Sequence, residues 1–207
     1  MLENLHDIEN IIFDLGEVII DLDFEKSIEA FRQILPPSAP SVFTYHVQTP
    51  IFDQLETGRI SAAVFRDGLR QLCSSPLSDE DIDQAWNAML IRLPQQKMHL
   101  VQSLRKSYQT FVLSNTNAIH IDYVNQFLLP PLGLNSLDEI FDHVYYSHDI
   151  GQRKPDAAAY IYILDKHRLN PGKTLFIDDK LENVDAAEKL GIQTIHLKNR
   201  EDLYAIF

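Results

Sequence analysis

Short unbroken apolar runs bounded by turn formers mark the start of this chain and its second half, and helically spaced apolar positions fill the stretch between. Ile8 to Asp14 reads as a buried parallel strand, with Val18 to Leu22 a second short extended piece after a turn at Gly16. From Phe24 to about Leu90 the spacing predicts four helices: Phe24 to Leu35, Val42 to Leu55, Ala62 to Cys73 and Asp79 to Leu90. Pro36-Pro37, Gly58 and Ser74-Ser75-Pro76 separate them. Ser61 and Ser78 stand where helix N-caps belong, Ser78 with Asp81 three residues on. This block reads as a small helical bundle inserted into another unit.

After Pro94 helix and strand alternate, as a parallel sheet requires, because each crossover needs a helix to cover one face. Helices are predicted over Gln95 to Tyr108, His120 to Leu128, Pro155 to Arg168 and Glu182 to Leu190, the last ended by Gly191. Strands are predicted over Thr110 to Ser114, His143 to Ser147, Thr174 to Asp178 and Gln193 to Leu197. The expected class is α/β: a Rossmann-like three-layer core with a five-stranded parallel sheet, built from residues 1–22 and 91–207, plus an inserted small α-helical bundle over 23–90.

Composition narrows the function. The 207 residues are 45% hydrophobic, enough to bury a substantial core. A formal net charge of -12, with 30 acidic against 18 basic residues, argues against a nucleic-acid partner, since duplex affinity rests on Lys and Arg. A small phosphorylated metabolite is not excluded, because a lysine, backbone amides and a cation can make one site positive inside an acidic protein. Cys73 is the only cysteine, so no intrachain disulfide forms. The acidic start, with Glu3, Asp7 and Glu9, does not resemble a signal peptide, and no charge-free run reaches membrane-spanning length. A cytoplasmic protein, monomeric or weakly dimeric and without a membrane partner, is the expectation.

Chemistry gathers at predicted strand ends. Asp14 ends the first strand, Ser114 the second and Asp178-Asp179 the fourth, while Lys154 lies on the loop after the third. Right-handed crossovers bring such residues to the carboxyl edge of one sheet, where open α/β sheets bind ligands. A carboxylate, a hydroxyl, a fixed ammonium and an acidic pair nearly suffice for phosphoryl transfer, and magnesium suits a donor set made of oxygens. Each residue alone has a plainer reading as a cap, a turn or a solvated loop. The ordered set of four carries the inference. His120, His143, His148 and His196 fit no zinc spacing, and Trp86 with Phe31, Phe43, Tyr45, Phe52 and Phe65 reads as bundle core with some rings facing the site.

With Phe13-Asp14-Leu15-Gly16 and Val18, Phe52, Glu56, Gly58 and Ile60-Ser61, Ser114-Asn115-Thr116-Asn117, Arg153-Lys154-Pro155, and Asp178-Asp179 with Asn183, the chain resembles the haloacid dehalogenase superfamily over essentially its whole length. The resemblance is to its helical-cap sugar phosphatases, those related to bacterial glucose-1-phosphatase and to the phosphatase half of soluble epoxide hydrolase. It implies that the helical insertion is a cap that closes over the sheet edge and chooses the leaving group. It further implies Asp14 as nucleophile forming an aspartyl-phosphate, Ser114 and the Asn115 backbone as phosphoryl ligands, and Lys154 as the neutralising catalytic cation. Magnesium would take a carboxylate oxygen of Asp14, the Gly16 carbonyl and Asp179, with Asp178 close by and Asn183 supporting the loop.

One position departs from the family pattern. Most members carry a second aspartate two residues after the nucleophile, as general acid and base; here Gly16 stands there. General acid catalysis contributes about 10²- to 10⁴-fold. The departure therefore implies substrates with acidic leaving groups, such as anomeric sugar, aryl or acyl phosphates, with Glu17, Asp21 or Asp23 as candidate substitute acids. It also leaves open a catalytically weakened protein that binds a phosphate ligand and regulates. A receiver module fits poorly because the acidic pair comes last, and dehalogenation would leave Asp178-Asp179 idle.

Overall fold

A computed structural model describes residues 7–37 and 50–207. Its main sheet holds five parallel strands in the order β5-β4-β1-β6-β7. These are β1 (Asn10–Phe13), β4 (Gln109–Ser114), β5 (His143–Tyr146), β6 (Thr174–Asp178) and β7 (Gln193–His196). The first strand of the chain is thus central, paired with β4 on one side (Asn10 opposite Gln109) and β6 on the other (Asn10 opposite Thr174). Period-two alternation divides the core. Ile11, Phe13, Val112, Leu175 and Ile177 join one buried cluster, and Ile12, Phe111, Leu113 and Phe176 join another. The first cluster takes Met98, Val101 and Leu104 of α5 (Gln95–Leu104); the second takes Tyr160 and Ile163 of α8 (Ala157–His167) and Ala187 of α9 (Leu181–Glu188). Both faces are covered, which makes the three expected layers.

The insertion contains α1 (Phe24–Ile34), α2 (Pro50–Glu56), α3 (Ala62–Cys73) and α4 (Asp79–Asn87). Its apolar seam is aromatic: Phe52 lies 4.7 Å from Trp86 and 5.1 Å from Phe65 between ring centroids. Both predicted caps form, Ser61 accepting from Val64 and Ser78 closing a capping box with Asp81. Phe43, Tyr45 and the 42–49 part of the second predicted helix lie outside the described residues.

Several expected boundaries move, some through local hydrogen bonds and one through a distant strand partner. Helix α4 stops at Asn87 because β3 (Leu90–Arg92) pairs antiparallel with β2 (Asp21–Leu22), a two-strand link at the base of the insertion that periodicity does not reveal. Residues 16–20 form a tight turn rather than extended chain, with Glu17 at φ 57°. Helix α5 ends at Leu104, after which the Ser107 and Tyr108 amides turn back to the Leu104 carbonyl. Helix α6 (Ala118–Tyr123) starts early because the Asn117 side chain caps it, and residues Val124–Leu128 widen into a π turn. Ser147 leaves β5 to begin the short α7 (Ser147–Ile150), its hydroxyl exchanging hydrogen bonds with the Thr116 backbone. Helix α8 begins at Ala157, not Pro155, because a turn closed by the Asp156 amide on the Arg153 carbonyl precedes it. Among the described residues no helix is long and apolar enough to cross a membrane.

Gly58 sets how closely the insertion approaches the sheet edge. It has φ +66°, and a Cβ there would lie 2.1 Å from the backbone oxygen of His148 in α7. Gly58→Ala combines left-handed strain with a backbone collision, so it is expected to cost about 1–3 kcal/mol. A thermal melt should fall by several degrees; an unchanged melting temperature would mean that this contact is dispensable.

Candidate active site

The loop after β1 places Asp14 beyond Phe13, and its amide donates to the Ile177 carbonyl (2.9 Å), extending the ladder by one residue. From the turn before α8 comes Lys154, 1% exposed, which donates from Nζ to Asp14 Oδ1 (2.6 Å) and Asp178 Oδ2 (2.7 Å). Asp178 is fully buried and also receives the Lys180 amide (2.8 Å) and the Asn183 side chain (3.0 Å to each oxygen). One carboxylate oxygen each from Asp14, Asp178 and Asp179 lies within 4.8 Å of the others.

Three acids around one buried ammonium leave excess negative charge. Burial pushes Asp14 up to about 7 against the opposing pull of Lys154, with Asp178 and Asp179 adding to the rise. Asp179 is pushed up to about 6 by burial and then by Asp178. Burial works against the Lys154 ammonium, yet Asp14 and Asp178 outweigh it and hold its pKa above the ordinary lysine value. The site is electrostatically short of one cation, and its donors are all oxygens, the set that hard divalent ions prefer.

Ser114 closes β4 and is 3% exposed. Asn115 has a role that sequence reasoning missed: its side chain accepts from the Lys154 amide (2.9 Å) and donates to the Lys154 carbonyl (2.7 Å), fixing the lysine loop against the strand-end loop. The Gly16 carbonyl accepts from the Val18 amide (2.7 Å). His196 donates to the Asp179 carbonyl (3.0 Å), bracing that loop from β7.

One crevice runs from Asp14, Gly16, Ser114, Lys154 and Asp179 to the underside of the insertion. His120, which fits no zinc spacing, is buried in its wall and packs there. The ring stacks on Trp86 (4.6 Å) and donates from Nε2 to the Trp86 carbonyl (3.2 Å), and burial pushes its pKa down to about 4. The candidate substitute acids are each engaged by other groups, although Glu17 also lines the crevice. Glu17 accepts from the Leu22 amide (2.6 Å) and pairs with Arg200 (3.4 Å). Asp21 binds Arg92 (2.6 Å) and Lys97 (3.3 Å), and Asp23 caps α1. A side chain at position 16 would meet Leu22, whose Cδ1 lies 2.8 Å from a Cβ built there.

A central strand carrying a buried carboxylate, a lysine that joins it to an acidic pair, and a helical insertion over that edge define a Rossmann-like α/β protein with an acidic cluster, able to hold a cation, at its topological switch point. The chain belongs to the haloacid dehalogenase-like hydrolases, whose family model matches residues 8–191. Over 195 residues it is 33% identical to a D-ribitol-5-phosphate phosphatase of Bacteroides thetaiotaomicron, covering 94% of each chain. A HAD family enzyme of the same organism, solved with magnesium and inorganic phosphate, superposes with a TM-score of 0.88 at 36% identity, covering 97% of this chain and 99% of that one. A predicted HAD-like hydrolase from Porphyromonas gingivalis superposes with a TM-score of 0.77 at 33% identity, covering 91% and 90%.

Proposed function

We propose that this protein is a magnesium-dependent phosphatase of a small phosphorylated metabolite, a sugar phosphate, working through an aspartyl-phosphate on Asp14. The observation that carries this is Lys154, buried and hydrogen-bonded at once to Asp14 and Asp178 beside Asp179. It leaves a strand-end carboxylate with a fixed cation on one oxygen. The likeness to a phosphatase and to an enzyme holding magnesium and phosphate supports the same reading.

Asp14, Asp179 and the Gly16 carbonyl would hold the ion, with Asp178 holding Lys154 and the loop. Magnesium, when bound, neutralises the phosphate and the nucleophilic carboxylate so that they can approach. An Asp14 oxygen attacks phosphorus, the bond from phosphorus to the ester oxygen breaks, and the departing oxygen takes up a proton. Ser114 and the Asn115 amide hold the phosphoryl oxygens while Lys154 offsets their charge. Water then cleaves the acyl phosphate, returning Asp14 and releasing inorganic phosphate. Residues 23–90 form the cap and 1–22 with 91–207 the core, the cap excluding bulk water during the first step.

With Gly16 in place of an acid and the neighbouring carboxylates engaged, the enzyme favours leaving groups that depart with little protonation. That observation also supports a second reading, a phosphate-binding module with little turnover. Hydrolysis of p-nitrophenyl phosphate and of an aldose 1-phosphate, with magnesium and with chelator, separates the two. Metal-dependent release of phosphate establishes the enzyme; none from either substrate leaves the binding module.

Magnesium affinity should depend on pH with a defined sign. Carboxylates whose pKa values are raised to about 7 and about 6 keep protons that the unfolded chain releases near 3.8. Their contribution to metal-free stability is therefore fully present below 3.8 and declines as pH rises toward 7. Magnesium must displace those protons. Its affinity should weaken as pH falls through 7 and 6, by up to about tenfold per pH unit for each proton displaced. Calorimetric titration at pH 8 and pH 6 reads this directly; equal affinities would place the ion elsewhere.

A further inference from the structure

We infer that Glu56 and Arg153 together read the leaving group, selecting an uncharged, hydroxylated one and rejecting a second anionic group; this rests on the phosphatase reading above. Glu56 ends α2, is 7% exposed, and lines the crevice with Arg153, the residue before Lys154. Among the described residues of the insertion that line the crevice, which are Phe24, Glu56, Trp86, Met89 and Leu90, only Glu56 bears a charge. One group it faces comes from the sheet side: Arg153 Nη2 lies 3.1 Å from Glu56 Oε2, and Nη1 lies 2.5 Å from Asp53 Oδ1. One guanidinium is thus shared by two carboxylates. A phosphate or carboxylate on the leaving group would find its positive charge already neutralised and would meet Glu56 besides.

A hydroxyl suits this pair, since it can donate to the carboxylate and accept from the guanidinium in turn. Arg153 Nε is buried and makes no hydrogen bond among the described residues, which leaves one donor unsatisfied. The close approach of Gly58 to His148 holds Glu56 at this seam, two residues away in the chain. Recognition is therefore built half on the insertion and half on the lysine loop, so that docking of the insertion and reading of the leaving group are one event. Asp53 shares the guanidinium but does not line the crevice, which allows docking and reading to be separated.

The test compares an aldose 1-phosphate, the matching aldose bisphosphate and p-nitrophenyl phosphate as substrates of wild type, Glu56→Gln and Asp53→Asn. Wild type should prefer the monophosphate to the bisphosphate by kcat/KM. In Glu56→Gln the ratio of kcat/KM for the aldose 1-phosphate to that for p-nitrophenyl phosphate should fall about ten- to a hundredfold, mostly through KM, and discrimination against the bisphosphate should shrink. Asp53→Asn should move all three substrates together. Equal losses on every substrate in Glu56→Gln would reduce the pair to a structural latch and overturn the inference. So would a wild type that cleaves p-nitrophenyl phosphate but not the aldose phosphate. Failure to cleave any of the three would instead remove the phosphatase reading itself.

Discussion

Replacing Asp14 by Asn should lower magnesium-dependent hydrolysis of p-nitrophenyl phosphate by at least about 10⁴-fold, because an amide cannot form the acyl phosphate. The protein should stay folded. Lys154 keeps its 2.7 Å bond to Asp178 when Asp14 loses its charge, so no buried ammonium is stranded. Asparagine also matches aspartate in shape and removes one of three crowded acids. The loss should therefore appear in kcat with a nearly unchanged melting curve. Labelled phosphate trapped on the wild-type protein by acid quench and absent from Asp14→Asn would identify the carboxylate directly. Residual turnover of more than a few per cent would mean that phosphorus is attacked by another group.

Restoring an acid at position 16 is expected to give the second largest effect, but only when room is made for it. A Cβ at Gly16 lies 2.8 Å from Leu22 Cδ1, so Gly16→Asp alone must displace an apolar side chain that occupies the space beside it. The obstruction is the end of a flexible side chain, not backbone, and φ at this position is not in the glycine-favouring region. Gly16→Asp with Leu22→Ala should therefore raise turnover of an alkyl phosphate by about 10²-fold or more relative to an aryl phosphate, since an alkoxide needs the proton and a phenolate does not. Leu22→Ala alone should show no such change in preference. Gains that are equal for both esters, or absent in the double variant, would show that a missing proton donor does not limit this site.

Local pattern carried a large part of the architecture. Runs of three apolar residues closed by a polar one, Ile11-Ile12-Phe13, Phe111-Val112-Leu113, Val144-Tyr145-Tyr146 and Leu175-Phe176-Ile177, located four of the five sheet strands within a few residues, because burial on both faces of a parallel sheet leaves no alternation to misread. Ser61 and Ser78 marked helix starts because an N-cap bond reaches only three residues along the chain. Some boundaries moved with local turns and caps, and one moved because a partner distant in sequence competed with helix propensity, as Asp21–Leu22 does for Leu90–Arg92. The prominence of Asp14, Lys154 and Asp178-Asp179 was legible for a related reason. Strand ends in a parallel sheet share one edge, so residue type and strand order suffice to gather them.

Position along the chain and residue type thus determined the three layers and the meeting of a carboxylate, a lysine and an acidic pair at one edge. Only the tertiary structure decided what surrounds them. Asn115 clamping the lysine loop, His120 stacked on Trp86, Leu22 beside position 16, and Arg153 shared between Asp53 and Glu56 all join segments far apart in sequence or turned by tight loops. Periodicity reports which face of an element is buried. Which polar groups meet across a seam depends on a few ångströms of docking, set here by contacts such as Gly58 against the His148 carbonyl, and no local pattern encodes that distance.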